Sequence, residues 1–442
     1  MDSAGNLCSH TRVPVQSGET DLRDWDARLW RITLHRAIQA LRISEPLDAL
    51  ALSGNGPTLV FSDEQGHPVG PSLLWLDERT EPREGQPSMF LPKVAWMRTH
   101  RPQVYEQARW VFSGPEYLYF VLGGDPVTIS PSDDFTRYIW TRTSIDAYGL
   151  DAGKFAPVVR PGARIGEVSD SAAREFGLTS GIPLVAGGHD FLMSLLGTAT
   201  TRPGRTCDRA GTSEGINHCS VAGGAGSQLR TLPHVIPGLY NVASILSSTG
   251  RIFEWFRRIS GQAQRAYDEM IREIAEVFEE DDRPYFFPSA HEGGLWEFSR
   301  GMFSNLSAHH DSRYLGRAVV ESIGFAVREG LGVLAAEGFT TDELVVCGGQ
   351  AKNAQWNQIK ADMCGVQLVI PEIVDAELAG NAACCALAMG DAENLSDAAD
   401  SIVRYGRRVS PETSRSDHWQ ACYEQYISVY HDFRHALSSS LE

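Results

Sequence analysis

Three glycine turns carry the residue types that could do chemistry in this chain. Gly187-Gly188-His189-Asp190 ends a short apolar run, Gly181-Ile182-Pro183-Leu184-Val185-Ala186, and leads into the apolar stretch Phe191 to Leu196. An aspartate at the end of a strand, on a glycine turn, is placed to accept a proton from a bound hydroxyl while backbone N–H groups keep it ionised. The N-cap of the following helix fits the same residue equally well, and on residue type alone the cap takes precedence. Gly211-Thr212-Ser213-Glu214-Gly215 turns between two strand-like runs at 206–210 and 216–219. Gly348-Gly349-Gln350-Ala351-Lys352 follows the buried-strand run Leu344-Val345-Val346-Cys347. Paired glycines let a backbone approach a flat or anionic ligand closely, although a plain strand-to-helix turn accounts for this pair as well.

The elements that must position these turns read as strands alternating with helices. Residues 47–52 form a buried strand that runs into the turn cluster Ser53-Gly54-Asn55-Gly56-Pro57-Thr58, and two further strands are expected at 59–61 and 73–77. Residues 93–122 have the spacing of two helices broken near Ser113-Gly114-Pro115, and 125–149 reads as a loop-rich excursion. Helices are expected over 250–258, 263–278, 314–336 and 419–437, the third with Val320, Ile323, Val327, Leu331 and Leu334 on one stripe. After Gly349, Trp356, Ile359 and Met363 recur at helical spacing. Leu368-Val369-Ile370 then returns as a strand, and a helix follows with Leu378, Ala382, Cys385, Ala386 and Met389 on one face. Such alternation predicts α/β layering with largely parallel sheets. The polar stretch 200–204 marks a boundary between a domain of residues 1–199 and one of residues 200–442. In a two-domain α/β protein, strand ends from both domains can face one cleft, where ligands bind.

Composition excludes several function classes. The chain has 442 residues, 42% of them hydrophobic, enough for two or three domains with sizeable cores. Its formal charge of 39 − 56 = −17 argues against a nucleic-acid surface or an anionic membrane as partner. No apolar run reaches the roughly 18 residues that span a bilayer, and Met1-Asp2-Ser3-Ala4-Gly5-Asn6 lacks the basic and apolar regions of a signal peptide, so a cytoplasmic protein is expected. Eight cysteines without a C-x-x-C pair indicate neither a disulfide framework nor a zinc site, and no metal-ligating residue is assigned.

Taken in order, these pieces resemble the FGGY family of carbohydrate kinases over almost the whole chain. The longest match, Gly348 through Asp362, is similar to the family's adenosine motif, Gly-Gly-Gly-Ala-Lys-Ser followed by Trp-x-Gln-x-x-Ala-Asp. Trp75-Leu76-Asp77-x-Arg79, Pro92-Lys93, Gly187-Gly188-His189-Asp190, Gly211-Thr212-Ser213, the stretch from Gly250 to Trp255, and Glu377-Leu378-Ala379-Gly380-Asn381-Ala382-Ala383 resemble further family motifs. The resemblance implies two actin-like ATPase (ribonuclease H-like) domains around a central cleft. It also implies ATP-dependent phosphorylation of a pentulose such as xylulose, or of a related ketose or polyol, with Mg²⁺ carried by the nucleotide. Asp190 then matches the catalytic base, which reverses the precedence of the cap. Gly211 and Thr212 match the phosphate turn, and Gly250, Gly348, Gly349 and Asn353 match nucleotide contacts. Asn55, Trp75, Asp77, Asp190 and Phe191 stand where the family lines its sugar pocket. The implied partners are a small sugar and ATP, and a homodimer is left open.

Two departures qualify the match. Family members begin with a strand, an Asp-x-Gly-Thr turn and a second strand that cradle phosphates. Here Asp2-Ser3-Ala4-Gly5-Asn6-Leu7 resembles the turn that follows them, so about 15 residues, two ordinary strands and a tight turn, are expected to be missing. A start codon assigned too late is the preferred reading; the alternative is a truncated, non-catalytic homologue that binds sugar or nucleotide. Secondly, Gly54-Asn55-Gly56-Pro57-Thr58 replaces the Gln-Arg-Glu-Thr of glycerol kinases and the Gln-Met-His-Gly of many xylulokinases, which disfavours glycerol. A formal G-x-S-x-G elbow at 211–215 is set aside because strand rather than helix is expected after Ser213.

Overall fold

The computed structural model describes residues 1–15, 22–43, 45–278, 282–289 and 296–439. They form two compact units. One comprises Met1–Thr201, Pro233–Leu239 and Ala376–Val403; the other comprises Arg202–Leu232, Tyr240–Asp375 and Arg404–Glu442. The boundary expected after residue 199 marks only the first crossing, since the chain returns to the first unit twice. The second return is enforced by close backbone packing between the helices Ala376–Met389 and Asp190–Gly197. A Cβ on Gly197 would lie 1.7 Å from the Ala376 carbonyl oxygen, and one on Gly380 would lie 2.0 Å from that of Met193. Only glycines admit such an approach.

The first unit holds a three-stranded sheet in the order Leu50–Gly54, Pro183–His189, Arg164–Glu167. The first pair is parallel, from Leu50↔Leu184 to Gly54↔His189, and its register slips between Leu52 and Ser53, where Gly187 is bypassed. The buried Tyr119 hydroxyl fills that slip. It lies 2.6 Å from the Val185 carbonyl and 3.0 Å from that of Leu52, and it accepts the Gly187 N–H at 3.0 Å. A bulge leaves ladder groups unpaired, and the phenol supplies their partner where the strand runs on toward Asp190. Apolar side chains of Leu122, Ile129, Ile165, Phe176 and Leu184 close the core beneath this sheet.

Two local expectations in this unit differ from the structure. Residues 73–77 are not a strand: Leu73 makes only an isolated bridge to Leu59, because the Leu74 and Trp75 carbonyls are taken by the Lys93 ammonium. Val60–Ser62 instead pairs antiparallel with Trp110–Phe112, which was expected to be helical. The helix there starts only after Ser113, whose capping box with Glu116 opens Gly114–Leu122. The 125–149 region contains the helices Asp133–Ile139 and Arg142–Ala147, each capped by the hydroxyl before it.

The second unit is built on a seven-stranded sheet. Its order is Arg230–Pro233, Tyr240–Leu246, Glu214–Ser220, Thr206–Ala210, Glu343–Cys347, Gln367–Pro371, Tyr405–Val409. The sheet is mixed rather than largely parallel: Glu343–Cys347 runs parallel to both its neighbours, while the pairs flanking this centre are antiparallel. Turn length dictates this outcome, since a tight turn at 211–213 can join only antiparallel strands, whereas parallel pairs need a crossover such as the helix Ala354–Cys364. The 25-residue helix Ser312–Ala336 lies against the sheet closely enough that a Cβ on Gly330 would meet Ile216 Cδ1 at 2.7 Å. Among the described residues no helix is long and apolar enough to cross a membrane.

Candidate functional site

Asp190 is delivered by the strand Pro183–His189 to the first position of the helix Asp190–Gly197, with His189 at the cap. Asn55, the first residue beyond the adjacent parallel strand, donates from Nδ2 to Asp190 Oδ2 at 3.0 Å, and the Phe191 N–H donates to Oδ1 at 2.6 Å. The carboxylate thus has a donor on each oxygen at the positive end of a helix, an arrangement that stabilises its charge. Phe191 is half-buried, its ring 6.2 Å from that of Phe135. Ser194, one turn on, lies 2.9 Å from the Asp190 carbonyl and 2.8 Å from Glu377 Oε1, so the incoming helix Ala376–Met389 braces the acid's own turn.

His189 is buried and stacks on Phe90, with centroids 5.4 Å apart at 25°. Burial pushes its pKa from 6.5 down to about 4. With the folded value depressed, the stability linked to this ring is complete above pH 6.5 and is lost as pH falls toward 4, because only the unfolded chain takes the proton. His189→Phe is expected to abolish about 2 kcal/mol of the stability that the parent loses between pH 7 and pH 5. Urea unfolding of both proteins at the two pH values checks this, and identical pH dependence would refute it.

Trp75 and Asp77 stand differently from Asn55 and Asp190. The Trp75 side chain is 48% exposed, whereas the Asp77 carboxylate is buried and occupied by Arg79, with Nη2 at 2.6 Å and Nε at 2.9 Å. Arg79 also binds Asp24 at 2.9 Å and lies 4.9 Å over the Trp96 ring. In this structure Asp77 therefore anchors its loop. The residue that joins the two loops is Lys93, buried, whose Nζ donates to the carbonyls of Pro57 at 3.0 Å, Trp75 at 3.1 Å and Leu74. Burial lowers its pKa to about 8, with the Asp77 charge acting in the opposite direction. One ammonium thus fixes the Asn55 loop to the Trp75 loop. A lysine inside a helical run gives no signal of this from the sequence, and only its place in the Pro-Lys motif singles it out.

In the second unit the sequence-distant turns meet. A Cβ on Gly348, whose φ is +89°, would lie 2.6 Å from the Ala210 carbonyl oxygen, and one on Gly250 would lie 2.1 Å from that of Gly211. The Arg251 N–H donates to the Thr212 carbonyl at 3.0 Å, fixing the helix Thr249–Ile259 to the turn. Gly211 belongs to the turn that the family resemblance matches to phosphate, and its own N–H is used inside that turn, 3.0 Å from the Ser213 carbonyl. The amides of Thr212 and Ser213 make no hydrogen bond among the described residues, and both residues are exposed. Two exposed N–H groups on one turn are suited to receive an anion, and the second comes from Ser213, the last residue of the Gly211-Thr212-Ser213 motif. The strand Glu214–Ser220 follows Ser213 directly, so no nucleophile elbow exists there. A Cβ on Gly349 would meet nothing within 4 Å. Asn353 caps the helix Ala354–Cys364 by accepting the Trp356 N–H at 2.7 Å, and its Nδ2 donates to Asp268 at 2.6 Å. Asp268, the partner that sets this side chain, carries no motif of its own.

These units, one placing an acid at a strand end and the other an exposed amide turn beside paired glycines, constitute the two-domain actin-like ATPase fold of a phosphotransferase. The chain belongs to the FGGY family of carbohydrate kinases, whose N-terminal domain matches residues 84–197 and whose C-terminal domain matches residues 211–389. It is a carbohydrate kinase with ATP as phosphate donor. The matched residues include Asp190, Gly211, Thr212, Gly250, Gly348, Gly349 and Asn353, while Asn55, Trp75 and Asp77 precede them. An autoinducer-2 kinase of Salmonella paratyphi A is 28% identical over 375 residues, covering 79% of this chain and 70% of the relative. A xyloylose kinase from Brucella ovis has a similar structure, with a TM-score of 0.80 at 22% identity over 99% of this chain and 96% of its own. A gluconate kinase from Lactobacillus acidophilus gives a TM-score of 0.76 at 17% identity, over 95% and 92% of the two chains.

Proposed function

We propose that this kinase phosphorylates a primary hydroxyl of a pentulose such as xylulose, or of a related ketose or polyol, with Asp190 as base. The observation that carries this reading is the Asn55–Asp190–Phe191 arrangement, which holds a half-buried carboxyl group at a strand end with a donor on each oxygen. In this reading Asp190 takes the proton of the substrate hydroxyl as its oxygen attacks the γ-phosphate. The protein's remaining task is positioning and charge neutralisation. The amides of Thr212 and Ser213 would receive phosphate oxygens, and the open face at Gly349, with Asn353 beyond it, would receive the adenosine. Mg²⁺ carried in by the nucleotide would supply neutralising charge on its phosphates. The cytoplasm, where ATP is available, is the proposed location. Support for the substrate class comes from the Brucella xyloylose kinase as a structural neighbour, while the autoinducer-2 and gluconate kinases among the similar proteins carry other substrate names.

The test is ADP release from Mg²⁺-ATP across a panel of ketoses and polyols. A pentulose is expected to raise the rate well above that with ATP alone. ADP binding without any carbohydrate-dependent release would overturn the catalytic reading in favour of a non-catalytic binding homologue.

A further inference from the structure

A buried ion cluster lies directly behind the exposed turn of the second unit. Asp208, Glu214 and Lys360 are all buried, the first two on the strands that the turn joins and the third on the helix Ala354–Cys364. Lys360 Nζ donates to Asp208 Oδ2 at 2.8 Å and to Glu214 Oε1, and lies 3.5 Å from Gln350 Oε1. Gln350, the residue after Gly349, also donates from Nε2 to Glu214 Oε2 at 3.4 Å and accepts the Trp356 indole N–H at 2.8 Å. Burial and the neighbouring Glu214 charge push the Asp208 carboxyl well above its ordinary range, while the Lys360 ammonium acts in the opposite direction.

A helix packed on a sheet needs only an apolar side chain at Lys360, and the family pattern quoted above leaves that position open. Buried ion clusters contribute little to stability relative to apolar replacements; what they can fix is geometry. The geometry here is specific: Glu214 follows Ser213 directly, Asp208 lies on the strand entering the same turn, and Gln350 follows Gly349. We propose that Lys360 is a positioning residue for the nucleotide phosphates. By clamping both strands of the hairpin and, through Gln350, the Gly348–Gly349 loop, it holds the free amides of Thr212 and Ser213 in fixed register with that loop. The inference rests on the reading that these two turns bind ATP.

The test neutralises the whole cluster in the full chain, combining Asp208→Asn, Glu214→Gln and Lys360→Met, so that no buried charge is left unpaired. The ADP dissociation constant, read by calorimetry on the folded protein, is expected to weaken about tenfold, the scale of a lost preorganisation. The KM for ATP should rise in parallel while the KM for the sugar stays unchanged, a split that mere loss of folded protein does not produce. A folded triple variant with parent-like ADP affinity and KM for ATP overturns the proposal. If the triple variant does not fold, Gln350→Met decides: it cuts the link to the loop without touching a charge, so weaker ADP binding supports the proposal and parent-like binding overturns it. A parent chain that binds no adenine nucleotide overturns the nucleotide-site reading itself, and this inference with it.

Discussion

Asp190→Asn is expected to lower sugar-dependent turnover by about 10²–10⁴-fold, the usual contribution of a positioned general base. The substitution keeps the volume and one of the two acceptors, so the helix Asp190–Gly197 and its glycine contacts with Ala376–Met389 have no steric reason to move. What changes is the second oxygen. Either the Asn55 Nδ2 or the Phe191 N–H, now 3.0 Å and 2.6 Å from the carboxylate, must face an amide NH₂. Misplacing one exposed or half-buried donor costs about 1 kcal/mol, which leaves folding intact and separates chemistry from stability. The KM for ATP should change little, because the amides at Thr212 and Ser213 belong to the other unit. Steady-state ADP release, with circular dichroism as the folding control, measures all three quantities. Near-parent turnover by a folded variant would remove Asp190 from the chemistry and return it to a role in the start of its helix.

Sequence and structure agree where the deciding physics is local. Leu344 to Cys347 is an apolar run closed by Gly348, whose positive φ only glycine takes easily, and the structure has the strand Glu343–Cys347 followed by that turn. The stripe from Val320 to Leu334 foretold the helix Ser312–Ala336 for the same reason. Disagreement begins where a contact spans the chain. Trp110–Phe112 becomes a strand because Val60–Ser62 is beside it, not because of its own spacing. Ala376–Val403 joins the first unit because Gly197 and Gly380 admit another backbone, a fact with no local signature. Lys93 and Lys360 are the sharper cases, since a lysine within a helical pattern reads as solvent-facing. Lys93 instead meets three carbonyls and Lys360 two carboxylates, and only folding assembles those acceptors. The turns of the candidate site were therefore legible where a glycine or an acid marks them, and the buried lysines packed behind those turns were not.

Gly349→Ala and Gly250→Ala are expected to damage nucleotide binding by opposite routes, and the pair discriminates a ligand-facing glycine from a packing glycine. Gly349 has helical backbone angles, φ −62° and ψ −38°, and an added methyl meets nothing within 4 Å. Alanine there should leave stability unchanged or raise it by about 0.4–1 kcal/mol through the unfolded chain. If adenosine lies against that open face, the same methyl occupies its van der Waals space, and ADP affinity should fall about tenfold, or about 1.4 kcal/mol. Gly250 is the converse. Its added methyl would sit 2.1 Å from the Gly211 carbonyl oxygen and 3.2 Å from the Thr212 Cα, and the obstacle is backbone. Relieving it must separate the helix Thr249–Ile259 from the turn, breaking the 3.0 Å Arg251–Thr212 hydrogen bond. Stability should drop by about 1–3 kcal/mol, and ADP affinity should drop with it as the Thr212 and Ser213 amides shift. Denaturant unfolding and ADP calorimetry on both variants give four numbers. Parent-like ADP affinity in Gly349→Ala would mean that the open face at Gly349 is merely solvated. Lost stability with retained affinity in Gly250→Ala would mean that the exposed amides are not where the phosphates bind.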